Sequence, residues 1–235
     1  MTQRKYIERH PRYGDIHITV NPRARRIILR SRNGVIEVTL PPQAGKDDLC
    51  RALERHGDKL MQQCSDRKPQ SIVPGYRIET AGFTFSLEES DREGFSIRYS
   101  GTNATLLYPN GTLFESQEMQ EWLRRVRITA LRGIAQRELP GRLKALAAQH
   151  GFVYTSVTLR DSHTRWGSCS SRKSISLSIY LQLLPQELAD YVLLHELCHT
   201  VEMNHSERFW TLMDRVTGGK AKLLRERLKE YRTEF

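Results

Sequence analysis

Two histidines four residues apart, His195 and His199, enclose Glu196, and a third histidine, His205, follows six residues after them. In a helix the i and i+4 side chains stand one turn apart on one face, so two imidazoles at that spacing can close on a single metal ion. Zinc held by three protein ligands keeps a fourth position for water and lowers that water's pKa towards neutrality, leaving Glu196 to take the proton. The chemistry predicted is that of a hydrolase, with His195, His199 and His205 binding one Zn2+ per chain and Glu196 as the catalytic carboxylate. The pentapeptide alone also arises by chance, and a histidine on an apolar helix face is more often a core residue than a ligand. Context argues for the metal: Leu188 to Leu194 read as a buried helix leading into the motif, and His205 falls just beyond its end. Cys198 sits between the ligands at a different helical angle and reads as a small core residue.

A helix bearing this motif must be fixed by its neighbours. Val157 and Leu159 suggest a strand, and Ile175, Leu177, Ile179 and Leu181 alternate with Ser174, Ser176, Ser178 and Tyr180 in the cleanest period-two pattern of the chain. The polar run Ser168 to Lys173 between them predicts a turn, so the two strands are expected to form an antiparallel hairpin packed on the motif helix. Pro185 suits the first turn of that helix. After His205, Ser206 suits an N-cap, and a helix bearing Phe209, Trp210, Leu212 and Met213 is expected to cover the metal site until Gly218-Gly219 ends it. Phe209 and Trp210 are expected to pack in the core. A last helix, Lys220 to Tyr231, has only Leu223, Leu224 and Leu228 as an apolar stripe.

The chain ahead of this region has a different character. β-rich runs at 16–20, 27–30 and 35–40 precede a helix expected from about Asp47 to Cys64, with Asn33-Gly34 as a hairpin turn between the last two runs. Phe83, Phe85 and Leu87, then Phe95, Ile97 and Tyr99, alternate as half-buried strands do. From Met119 to Ile134 the apolar spacing becomes helical; Pro140-Gly141 predicts a break before a second helix with Leu143, Leu146 and Ala147, which Gly151 stops. The turn signal Pro109-Asn110-Gly111 places a boundary between a mainly antiparallel β region, residues 1–112, and a metal-binding catalytic region, residues 113–235. The expected fold class is α+β, and no internal repeat is evident in the sequence.

Composition narrows the setting. The 235 residues include no run near the about 20 apolar residues of a membrane span, and Met1 to His10 lack the apolar core of a secretory signal, so a cytoplasmic location is expected. Cys50, Cys64, Cys169 and Cys198 are scattered and read as free thiols. The 37 Lys and Arg against 27 Asp and Glu give a net charge of +10, enough for weak polyanion or nucleic-acid binding at low salt. The clusters Arg23, Arg25, Arg26, Arg30, Arg32 and Arg124, Arg125, Arg127, Arg132, Arg137 lack interleaved aromatic residues that would stack bases, which reads as a solvated face before a nucleic-acid surface.

Several of these segments together resemble the YgjP-like metallopeptidase family: Thr164-Arg165-Trp166-Gly167-Ser168-Cys169, the alternating strand, Pro185, Tyr191-Val192, His195-Glu196-Leu197-Cys198-His199, and Asn204-His205-Ser206 with Phe209-Trp210. The resemblance is strong over roughly residues 140 to 215. It implies a zincin-like α+β domain in which His195, His199 and His205 bind zinc and Glu196 is the catalytic carboxylate. Leu177-Ser178 stands where the family often has Leu-Asn. The ligand spacing equals that of metzincins, but Glu202 occupies their turn glycine, so the turn into His205 is expected to use Asn204 in a left-handed conformation. Glu202, Glu207 and Asp214 are the alternatives to His205 as third ligand.

The leading reading is a metallopeptidase, with a peptide or protein as substrate, held along the edge of the strand at 174–181 or of that at 157–160. His163, Arg165, Tyr180 and Tyr191 are the candidates to stabilise the oxyanion. A phosphohydrolase acting on nucleotides is the alternative, favoured by the basic surface but lacking a glycine-rich phosphate loop. A binding module with a structural metal is the third reading, against which no fourth ligand is obvious.

Overall fold

The structure, a computed structural model, describes residues 4–32, 35–66, 70–231 and 233. The chain divides into two compact units, Met1–Ser71 and Ile72–Phe235, each with its own apolar core. The first unit has strands β1 (Arg4–His10), β2 (Gly14–Val20), β3 (Ile28–Arg32) and β4 (Val35–Leu40) and helix α1 (Lys46–Asp66). Alternation explains them: Ile16, Ile18, Ile36, Val38 and Leu40 point to one face and are at most 4% exposed, against Leu49 and Leu53 of α1. β1 was not legible in advance because it is an exposed edge strand with little apolar content. The turn at Asn33-Gly34 lies outside the described residues, but β3 and β4 pair antiparallel on either side of it.

The second unit begins with another four-stranded sheet: β5 (Arg77–Glu79), β6 (Thr84–Ser90), β7 (Ser96–Ser100) and β8 (Asn103–Pro109). Both sheets run first-second-fourth-third, with the second and fourth strands parallel and the other pairs antiparallel, and a long helix follows each. The fold thus repeats a four-strand, one-helix unit where the sequence shows none. Ala104, Leu106 and Tyr108 fill the buried positions that Ile36, Val38 and Leu40 fill in the first sheet, and a proline follows each set. The shared constraint is one apolar face under one helix, which residues of different size satisfy.

Residues 113–150 do not form two helices. Helix α2 runs unbroken over Gln117–His150, capped by the Ser116 hydroxyl accepting from Met119 N–H and ended by Gly151 in the left-handed region. Pro140 removes one backbone bond, that to the carbonyl of exposed Gln136, while Leu139, Leu143 and Leu146 on the other side remain buried in one core. The core continues without interruption into Phe83, Phe85 and Leu106, so compactness divides the chain at Ser71 and not near residue 112.

The remaining elements hold the motif: strands β9 (Ser156–Arg160), β10 (Gly167–Cys169) and β11 (Ser174–Ser178), a 3-10 helix at Ile179–Leu183, and helices α3 (Gln186–Cys198), α4 (Glu207–Thr217) and α5 (Ala221–Leu228). The expected antiparallel hairpin is present, but its partners differ. β11 pairs antiparallel with β10 and parallel with β9, in the order β10-β11-β9. The turn at Ser170–Lys173 joins β10 to β11, with Lys173 at φ 59°, and β9 reaches the far side of β11 through the intervening loop. β11 is therefore the central strand and has no free edge. No helix among the described residues is long and apolar enough to cross a membrane.

The entry to the second unit rests on one side chain. Buried Gln120 accepts from Ile72 N–H (2.8 Å) and donates to the carbonyls of Ile72 (2.9 Å) and Phe114 (2.7 Å). Gln120→Leu strands three buried backbone groups and is expected to lower stability by about 2–4 kcal/mol, read as a shift in the urea unfolding midpoint at unchanged slope.

Candidate metal centre

α3 is apolar on almost every side because it is surrounded: it packs against α2, β10, α4 and α5. Its last turn carries the motif into this apolar setting. His199 stands at the helix C-cap with near-helical angles, φ −65° and ψ −15°, so the one-turn spacing from His195 is kept. The Nε2 atoms of His195 and His199 lie 3.1 Å apart, those of His195 and His205 also 3.1 Å, and the ligand atoms of all three lie within 4.8 Å of one another. A common point between three imidazole nitrogens is the arrangement zinc accepts. Glu202, Glu207, Asp214 and Cys198 contribute nothing to this group; Asp214 instead accepts from Ala221 N–H at the end of α4.

The return from α3 to His205 is made without left-handed backbone at Asn204. Lys173 is the one non-glycine residue with positive φ among the described residues. The Glu202 N–H closes on the Cys198 carbonyl (2.9 Å), and the Ser206 N–H on that of Asn204 (2.8 Å). Those bonds supply the turn that a glycine would otherwise make. The Glu202 carbonyl also accepts from His199 Nδ1 at 3.0 Å, and because a carbonyl only accepts, the proton is on Nδ1 and the Nε2 lone pair is left for a metal. Ser206 begins α4, although its side chain makes no cap hydrogen bond.

Phe209 does more than fill the core. Fully buried, its ring lies 4.9, 4.6 and 4.8 Å from the rings of His195, His199 and His205, so one aromatic side chain backs all three imidazoles. Trp210 stacks on the exposed His205 at 5.9 Å. Gly167 of β10 sits against Glu196, where a Cβ would come within 2.6 Å of Oε1. Only a glycine leaves the carboxylate its place, a signal carried in the sequence by Trp166-Gly167 and not read from it.

Burial sets the electrostatics. It holds the His195 imidazole down to about 3, with the neighbouring histidines adding to the effect, and it lowers His199 as well, so both are neutral and ready to ligate near pH 7. It lifts the Glu196 carboxyl up to about 7, against the pull of Arg165. Glu196 Oε2 is buried with no hydrogen-bond partner among the described residues, as is His195 Nδ1. A carboxylate atom orphaned beside three converging imidazoles fits a site that takes a metal and water.

A cavity of about 650 Å³ opens on the centre, lined by His195, Glu196 and His205 together with Arg165, Trp166, Gly167, Tyr191, Trp210 and Arg225. Of the four oxyanion candidates, Arg165 and Tyr191 are on this lining. Tyr180 and His163 are not: the Tyr180 hydroxyl lies 2.9 Å from both Asp161 Oδ1 and His163 Nε2, and His163 Nδ1 meets the Thr233 carbonyl. That cluster ties the β9–β10 connection in place. If three imidazoles are the ligand set, His205→Ala is expected to weaken zinc binding by more than about a hundredfold, whereas Cys198→Ser leaves it unchanged, as measured by competition with a chromophoric chelator.

The family described as "YgjP-like, metallopeptidase domain" matches residues 25–231. Among solved structures, the metallopeptidase zymogen abylysin of Pyrococcus abyssi is similar, at 25% identity over 39% of this chain and 91% of that one, with a TM-score of 0.36. No curated protein matches. With nearly its whole length matched, three histidines converging and a glutamate between them, the chain belongs to the YgjP-like metallopeptidase family.

Proposed function

We propose that the protein is a zinc-dependent peptidase in which His195, His199 and His205 hold one zinc ion and Glu196 is the general base and acid. The observation that carries the reading is the convergence of three imidazole nitrogens beside a buried glutamate, with His195, His205 and Glu196 on the wall of one cavity. Zinc bound there supplies a Lewis acid that acidifies water and polarises a carbonyl. Glu196 takes the proton from the attacking water, holds it in a site where burial favours the neutral carboxyl, and passes it to the leaving amine. Gly167 keeps Glu196 in reach by leaving room for it. Arg165 and Tyr191 are the groups on the cavity wall that can face the developing oxyanion.

Sheet order supports one placement of the substrate. β10 is an edge strand beside Glu196, so an extended peptide can pair with it through backbone hydrogen bonds. The central strand β11, which looked available from its alternation alone, is occupied on both sides.

Against an unfolded protein substrate, the zinc-loaded wild type is expected to cleave, and chelation or Glu196→Gln to abolish cleavage while the variant keeps its zinc. Phosphate release from nucleoside triphosphates that disappears in the same variant, without peptide cleavage, contradicts the reading. Gly167→Ala is expected to displace the Glu196 carboxylate and lower kcat about a hundredfold at unchanged zinc content, checked by steady-state kinetics and metal analysis.

A further inference from the structure

Helix α5 presents several cations, and most have partners. Arg227 bonds Glu187 at 2.5 Å, Lys220 approaches the same carboxylate at 3.9 Å, and Lys229 holds Glu226 at 2.7 Å. Lys222 and Arg225 make no hydrogen bond or ion pair among the described residues, and the Arg225 guanidinium lies 5.0 Å from the centre of the Trp210 ring, which in turn stacks on His205. A cation–π contact at that distance leaves the N–H donors without a hydrogen-bond partner among the described residues. Arg225 also lines the same cavity as His195, Glu196 and His205.

The charge of that cavity is one-sided. Glu196 is the one acidic residue on its wall, against Arg165 and Arg225, before the charge of a metal is added. Such a field concentrates anions and turns away basic groups. Arg225 is exposed, its guanidinium beside an indole at the mouth of the cavity, and its fork of N–H donors matches a carboxylate in shape and charge.

We propose that Arg225 is a specificity-determining residue that grips a carboxylate on the peptide substrate, next to the bond that is cut. The inference rests on the peptidase reading above. The carboxylate is supplied either by an Asp or Glu side chain or by the free end of the peptide chain.

The test uses the full-length zinc-loaded protein and fluorogenic peptides that differ only in Glu or Gln on either side of the cleaved bond, each made with a free or an amidated end. The wild type is expected to favour a carboxylate-bearing peptide by about tenfold or more in kcat/KM, the worth of a charge-assisted hydrogen bond. A gain with Glu peptides of either end assigns the carboxylate to a side chain, and a gain confined to free ends assigns it to the terminus; both support the proposal. Arg225→Gln is expected to erase the preference, lowering kcat/KM for carboxylate-bearing peptides to that for neutral ones, while zinc content stays the same. Equal rates for acidic and neutral peptides in the wild type, or an equal loss for all peptides in Arg225→Gln, overturn the proposal and leave the peptidase reading standing. Peptide binding to Glu196→Gln, followed by fluorescence, gives a second readout without turnover: equal affinity for carboxylate and neutral peptides overturns the role of Arg225, while failure of the wild type to cut any peptide overturns the peptidase reading.

Discussion

Everything at the site depends on the contact of one buried phenyl ring with three imidazoles. Phe209 touches the rings of His195, His199 and His205 at once, although they come from the last turn of a helix, its C-cap and a loop. For the ring to be there, α4 must pack on α3, and for α3 to accept it the helix must be apolar nearly all round. That in turn requires α2, β10 and α5 on its other sides. The helix that bears His195 and Glu196 is thus enclosed by α2, β10, α4 and α5.

The same enclosure sets the chemistry. Removing water from the end of α3 keeps His195 and His199 neutral, the state in which imidazole binds a metal, and raises the proton affinity of Glu196, the state in which a carboxyl can give a proton back. One physical cause pushes the two kinds of group in opposite directions. The opening in the enclosure is equally specific: where a side chain would press on Glu196, β10 has Gly167, and where the wall meets solvent it bears Arg165 and Arg225.

What the sequence made legible is what depends on local period. The i, i+4 spacing of His195 and His199, the first part of the alternation at 174–181, the helical stripes of α1 and α4, and Gly151 and Gly218 as helix stops each follow from a repeat of 3.6 or 2 or from the freedom of glycine, whereas 179–181 leave the strand for a 3-10 helix. What was not legible depends on partners far away in the chain. Alternation says that Ser174 to Ser178 are a strand, but not that β9 lies parallel to it and β10 antiparallel. Pro140 reads as a breaker because the sequence does not show that the same core lies under both halves of α2. His163 and Tyr180 have the right chemistry for an active site, yet they are spent on Asp161 and Thr233. The turn to His205 needed backbone hydrogen bonds and no special φ, which composition does not reveal. The repeated four-strand unit is invisible in residue identity because buried Ile36, Val38 and Leu40 correspond to Ala104, Leu106 and Tyr108.

The central claim is that the three histidines form one metal centre with an open position beside Glu196. X-ray absorption at the zinc edge of the protein loaded with one equivalent of zinc measures this directly. The account predicts three imidazole nitrogens at about 2.0–2.1 Å and a light oxygen ligand, with no sulfur. A shell containing sulfur at about 2.3 Å, or four protein ligands and no oxygen from solvent, would contradict it, because either outcome describes a closed structural site.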